Sequence, residues 1–315
     1  MFLCPECKKQ LPGWPPEPCA ICNYPEKTAE NIYIFSREQN LRLDGGEQYI
    51  GFDAMAEDYD KTRHLIPDLG RIAANHIARR VGTIENLVDL GSGTGVFSIA
   101  LARYSQRIVA ADISTEMLKR TADKITKEGI SNVLPCKINI YRLPIATKSI
   151  DVVLAVNVFN LLSHPETAVK EIKRVLCGSG ALVTIQFNIT ENPSVDVNDE
   201  IESQYYSELL KRNIEILKPP GWLGPQLDTE LRRYFNKRET VKSEDLQFKL
   251  GLTPEYEYEN IRTRQYPTQL LLDQSIHNEV MDVIDGRMKN KYGSSYKEKQ
   301  LEYKLEVELG FYRSE

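Results

Sequence analysis

The chain of 315 residues can hold one large domain with additions, and 41% apolar against 27% charged residues is the balance of a soluble globular protein. A net charge of −5 gives no global positive field to draw nucleic acid or an anionic membrane. No apolar run approaches the ~20 residues of a membrane span, and the start, MFLCPECKKQ, shows no secretory leader, so the cytoplasm is the expected location.

Residues 1–30 are short of core formers and rich in proline, so they need a staple other than an apolar core. Cys4-x-x-Cys7 and Cys19-x-x-Cys22, separated by eleven residues, make two knuckles whose four thiolates suit tetrahedral zinc, with iron in the same site as the remaining alternative. A disulfide pair is disfavoured in a reducing compartment, and no strand-helix context surrounds either pair to make a redox motif. Cys136 and Cys177 stand apart in apolar surroundings and read as small core residues.

Residues 31–50 read as a connector or small hairpin around LDGGE. The stretch GFDAMAEDYDKTRHLI reads as one short helix, and apolar spacing from Pro67 to Val81 predicts another. Strands are then predicted at 86–90, 107–111, 133–139, 150–156 and 181–187, with helices at 96–104, 115–128 and 166–176 between them. Such alternation predicts an α/β fold with a parallel sheet and right-handed crossovers. Ser163 is placed as the cap and Pro165 as the first residue of the third helix, with Gly178 and Gly180 as its stop.

Residues 189–242 break the alternation with two helical stretches, about 199–217 and 226–236, joined by KPPGWLGP. Their Tyr205, Tyr206, Trp222, Tyr234 and Phe235 suggest a lid over an apolar acceptor pocket. A short helix at 243–251, a strand near 256–264, a long helix at 267–290 and a last strand near 305–312 complete the expectation.

The chemistry concentrates at VDLGSGTG, residues 88–95. Glycines at 91, 93 and 95 permit positive φ and close approach of a ligand to the backbone, and the helix that follows offers unpaired N–H groups. The second strand, RIVAAD, ends at Asp112, where a carboxylate can accept hydrogen bonds from both ribose hydroxyls of an adenosine. Val96 stands where a dinucleotide-binding turn would have its last glycine, and Asp89 suits a cationic ligand better than a pyrophosphate.

Together with AADIS (110–114), LPIATKSIDVVLAVNVFNLL (143–162) and EIKRVLCGSGALVTI (171–185), this turn resembles the successive motifs of class I S-adenosylmethionine-dependent methyltransferases of the type 11 group. The resemblance spans roughly residues 50–188 and implies a Rossmann-like sheet of seven strands, the last antiparallel, with helices on both faces. It implies that Gly91, Ser92, Gly93 and Gly95 line the methionine part of the cofactor and that Asp89 faces its amino group. Asp112 would bind the ribose, Ile113 and Met117 would flank the adenine, Asn139 would accept from the adenine amino group where the family often has Asp, and Ile140 is a further cofactor-binding candidate. Asn157 would face cofactor and substrate, Tyr59 the methyl group as the catalytic candidate, and Arg63 the cofactor carboxylate. His64 has no visible partner and reads as a surface residue.

The implied domains are a zinc module over 1–30, a connector over 31–50, the methyltransferase domain over 51–188 and 243–315, and a helical substrate lid over 189–242. The expected acceptor is a small molecule or a peptide. Ribosomal RNA guanine-N1 methyltransferases also carry an N-terminal cysteine knuckle, but residues 1–30 here hold three lysines against four glutamates, which disfavours RNA. A non-catalytic cofactor-binding scaffold is the third reading. Oligomeric state is not legible in the sequence.

Overall fold

A computed structural model describes residues 1–36, 52–63, 66, 68–191, 197–214, 224–266, 269–270 and 272–314. The expected alternation is present. It runs β3 (Ile84–Leu90), α3 (Val96–Leu101), β4 (Ser105–Asp112), α4 (Thr115–Lys127), β5 (Val133–Lys137), β6 (Ile150–Val156), α5 (Pro165–Val175) and β7 (Leu176–Glu191). Ahead of it lie a short hairpin, β1 (Glu26–Lys27) and β2 (Tyr33–Ile34), a 3-10 turn over Phe52–Met55, α1 (Tyr59–Arg63) and α2 (Leu69–Val81). After it come α6 (Val197–Lys211), α7 (Gly224–Leu231), β8 (Lys237–Val241), β9 (Gln247–Leu252), α8 (Pro254–Arg262), α9 (Gln274–Tyr292) and β10 (Leu301–Arg313).

Among the described residues the sheet has ten strands rather than the expected seven, in the order β1-β2-β5-β4-β3-β6-β7-β10-β8, with β9 also on β10. Two causes account for the difference. The β1–β2 hairpin of the cysteine module extends one edge, with β2 parallel to β5. At the other edge one strand position is divided: β8 pairs with Leu309–Arg313 and β9 with Leu301–Glu306, both antiparallel. The strands β5-β4-β3-β6-β7 are mutually parallel and β10 is antiparallel to β7, as expected.

Alternating side chains serve opposite faces. Val88 and Leu90 join Val153, Leu182 and α5 on one side; Leu87, Val152 and Val183 join α2 and α3 on the other. Chain order reverses across β3 and β6, so a crevice opens beyond their C-terminal ends, the usual ligand position in such sheets.

The C-terminal third departs from expectation. The expected strand at 256–264 is α8, opened by Thr253 and Pro254 with Glu255 and Glu257 in its first turn. The expected helix at 243–251 is a 3-10 turn over Glu244–Leu246 followed by β9. The described residues of the insertion pack in two places. α6 packs with α8 and α9 in a separate cluster around Tyr205, Tyr258, Ile284 and Met288, whereas Leu227 and Leu231 of α7 pack on the sheet beside α5.

Smaller corrections are local. His164, not Ser163, occupies the cap position of α5. Gly178 and Gly180 lie inside β7, and Gly180 is needed because a Cβ there would stand 2.9 Å from the Ile150 carbonyl oxygen. Cys136 is fully buried but Cys177 is only half-buried. LDGGE, His64, Pro67 and Trp222 fall outside the described residues, as does the KPPGWL part of KPPGWLGP. Among the described residues no helix is long and apolar enough to cross a membrane.

Candidate active site

β3 ends at Leu90, and the chain turns through Gly91, Gly93 and Gly95 at φ of +67°, +53° and +81°. Side chains other than glycine rarely adopt such angles. A Cβ at Gly91 would also overlap Val158, and one at Gly95 would stand 2.7 Å from Thr121. The turn is held by the neighbouring strand: the N–H groups of Gly91 and Ser92 donate to the Ala111 carbonyl at 2.8 and 3.0 Å.

Asp112 closes β4 next to this turn. Its carboxylate accepts from the N–H of Gly93 and of Ser114, each at 2.8 Å. Burial raises its pKa against those hydrogen bonds. Asp89 is buried, with one carboxylate oxygen accepting from the Ser98 hydroxyl at 2.6 Å. Burial pushes its pKa up to about 7, and the Asp112 charge adds to the rise. No cationic side chain among the described residues pairs with it, and the buried Ser92 hydroxyl also has no partner.

A cavity of about 780 Å³ opens over these groups. Of the expected site residues, it is lined by Tyr59, Asp89, Gly91, Ser92, Gly93, Asp112, Ile113, Met117, Asn139, Ile140 and Asn157. Gly95 does not line it and serves the turn behind. Asn139 already uses its side-chain oxygen to accept the Tyr141 N–H at 2.9 Å, a local turn that fixes the side chain. Asn157 has φ of +52°, a left-handed conformation that asparagine tolerates. Arg63 ends α1, and its side chain lies outside the described residues. None of the described residues of 189–242 lines the cavity; Tyr205 instead donates to or accepts from buried His277 at 2.9 Å.

Sequence reasoning missed the groups that hold α1 over the cleft. The Thr94 hydroxyl donates to Asp60, whose other oxygen pairs with Lys124 at 2.5 Å, and Lys124 also donates to the Thr94 carbonyl at 3.0 Å. Asp53 accepts from the Ser114 hydroxyl at 2.6 Å and the Glu116 N–H at 3.0 Å, pinning the preceding turn to the start of α4. From the helical cluster, the Tyr256 hydroxyl donates to the Thr62 carbonyl. The acid-rich spacing of GFDAMAEDYD was the available signal, but an acid reveals no partner until the chain is folded.

Residues 88–184 match the methyltransferase domain family. Over these residues the chain carries a methyltransferase domain. The chain is 24% identical over 212 residues to the ubiquinone/menaquinone biosynthesis C-methyltransferase of Methylococcus capsulatus, covering 63% of this chain and 78% of that one. It is 28% identical over 187 residues to the demethylmenaquinone methyltransferase of Lactococcus lactis, covering 55% and 71%. The crystal structure of the YcgJ protein from Bacillus subtilis superposes with a TM-score of 0.50 at 13% identity, covering 78% of this chain and 99% of that chain, a likeness of fold. The family match leaves residues 1–87, with the cysteine module, α1 and α2, and everything after β7's first half outside it.

The Sγ atoms of Cys4, Cys7, Cys19 and Cys22 lie within 4.8 Å of one another. Sulfurs on a tetrahedral zinc at ~2.3 Å would be about 3.8 Å apart, so the cluster has the size of such a site. The N–H groups of Cys7 and Glu6 point at the Cys4 sulfur, and those of Cys22 and Ile21 at the Cys19 sulfur. Those donors pull Cys19 down to about 7, whereas burial among the other thiols pushes Cys22 up to about 12.

Proposed function

We propose that the chain transfers a methyl group from S-adenosylmethionine to a small, largely apolar acceptor. The observation that carries this reading is the meeting, in one cleft, of the glycine turn, the Asp112 carboxylate and a buried Asp89 carboxylate that no cation among the described residues pairs. The donor set fits the group: Asp89 and the unpartnered Ser92 hydroxyl for the amino-acid end, Asp112 for the ribose hydroxyls, and Met117, Ile113 and Ile140 around the adenine.

When bound, the sulfonium supplies an activated methyl carbon, whose bond to sulfur breaks as the bond to the acceptor forms. The residues of this chain align and enclose. Tyr59 closes the cleft from α1, its ring 3.8 Å from where a Cβ on Gly93 would be, and serves as the candidate to orient the acceptor. Asn157 faces the same space from the end of β6. Arg63, on the same helix, is proposed for the cofactor carboxylate.

Beyond the cofactor groups the cavity wall includes Ile66, Leu69, Phe97, Phe187, Leu250 and Leu305 beside the charged Asp68 and Arg71, and the apolar share supports a largely apolar acceptor. Relatives named for ubiquinone/menaquinone biosynthesis agree with a small-molecule acceptor. The net charge of −5 does not favour RNA. We further assign zinc to the four thiolates, which fits a reducing compartment such as the cytoplasm.

Titration calorimetry with S-adenosylmethionine and S-adenosylhomocysteine tests the cofactor, with one site per chain expected. Tritiated-methyl transfer into organic-extractable material from a cell extract, set against RNA and protein fractions, tests the acceptor. Absence of cofactor binding would overturn the reading, and label confined to RNA would overturn the acceptor class.

A further inference from the structure

We propose that the cysteine module is a positioning element of the cofactor cleft. Metal held by Cys4, Cys7, Cys19 and Cys22 would fix two short segments, one at the start of the module and one just past its end at residues 33–36, and these clamp both ends of the loop that forms the adenine side of the cavity. The inference rests on the cofactor and metal assignments above.

The loop runs from the end of β5 to residue 146, and its Ile138, Asn139, Ile140 and Tyr141 line the cavity. At its entry, β2 pairs with β5 through Tyr33–Cys136 and Ile34–Lys137. The N–H groups of Phe35 and Ser36 then donate to the Lys137 carbonyl at 3.0 and 3.2 Å. The Ser36 hydroxyl accepts the Asn139 N–H at 2.9 Å, and both residues are buried. At its exit, the Leu3 N–H donates to the Pro144 carbonyl at 2.9 Å and the Ala146 N–H to the Met1 carbonyl at 2.8 Å.

The two clamps are joined to each other. Phe2 stacks on Phe35 with ring centroids 5.0 Å apart and on Trp14 at 5.9 Å. Phe2 lies two residues from Cys4, and Cys4 and Cys19 sit in the same buried cluster as Phe2, Phe35 and Ile138. Residues 1–30 are short of apolar side chains of their own, so closing the metal site is what would order them. Order at Cys4 is order at Phe2 and Leu3, and thereby at the loop.

Ser36 is the contact that separates brace from bystander, because it touches Asn139 and no thiol. Calorimetry with S-adenosylhomocysteine and with adenosine is run on the native chain, the chelator-stripped chain, the stripped chain with Zn2+ restored, Ser36→Ala and Ser36→Thr. Stripping is expected to weaken both ligands at least tenfold and Zn2+ to restore them. Ser36→Ala is expected to keep its metal yet bind both ligands about three- to tenfold more weakly, through the lost hydrogen bond to Asn139. Ser36→Thr, which keeps the hydroxyl, is expected to recover. Unchanged affinity in the stripped chain or in Ser36→Ala would overturn the brace. If stripping unfolds the whole chain, the two Ser36 variants decide alone. A native chain that binds neither ligand would instead overturn the cofactor reading.

Discussion

Asp89 shows how a single buried acid sets the character of the cleft. Burial holds its carboxyl at about 7, above the ordinary 3.8, so the ligand-free protein loses stability as pH rises through that interval. A cationic ligand reverses this, since it favours the carboxylate. Two outcomes are expected. Asp89→Asn should stabilise the ligand-free protein at pH 8 by on the order of 3 kcal/mol, read by denaturant melts, while abolishing measurable S-adenosylmethionine binding. In the native chain, cofactor affinity should fall as pH drops below about 7, up to tenfold per unit, because Asp89 must give up a proton to bind. A variant neither stabilised nor impaired would remove Asp89 from the cofactor's amino group.

At the scale of elements, α1 is held over the cleft by polar ties rather than by a large apolar face. Asp60 joins Thr94 and Lys124, and Tyr256 reaches the far end. Asp60 is 39% exposed, so its ion pair contributes only ~1 kcal/mol or less to stability. Asp60→Ala should therefore leave thermal stability nearly unchanged while cofactor KM rises about three- to tenfold; equal KM would show that α1 sits in place without the tie. The α6–α8–α9 cluster behaves differently. His277 is fully buried, its Nδ1 2.9 Å from the Tyr205 hydroxyl and its Nε2 3.1 Å from the Arg262 carbonyl, and burial lowers its pKa below the ordinary 6.5. The unfolded chain takes up a proton that the folded one resists, so stability is full above 6.5 and falls as pH drops below it. His277→Gln should flatten that acid-side loss in thermal melts at pH 7.5 and 5; an unaltered slope would place the loss elsewhere.

For the whole molecule, β10 is the member that binds the parts together. It pairs with β7, β8 and β9, and its Val307, Leu309 and Phe311 are fully buried. Leu301 and Tyr303 near its start belong to the helical cluster, and Tyr312 near its end belongs to the core shared with the cysteine module. Phe311→Ala should cost about 3–5 kcal/mol and lower the melting of sheet and helical cluster together, in one transition by far-UV and near-UV dichroism. Two separated transitions would show that the cluster folds independently of the strand.

The sequence by itself determined the parallel half of the sheet, the glycine turn with its two acids, and the thiol set. In each case the constraint is local: strand and helix periods, φ angles that glycine relieves, and pairs of ligands three positions apart. Tertiary structure decided the rest. YEYENIRTR alternates like a strand, yet it is α8, because Tyr258 and Ile261 meet α6 and α9 on a helical face while Pro254 starts the turn. KRETV carries too few apolar residues to read as a strand, yet β8 forms because β10 offers an unpaired edge. The aromatic insertion read as a lid, but its tyrosines find their partners in the helical cluster and on the sheet, and the apolar wall of the cleft falls to Phe187, Leu250 and Leu305. Side-chain type and spacing carry local preference; which surface a residue meets depends on chain segments far apart in sequence, and only the folded chain brings them together.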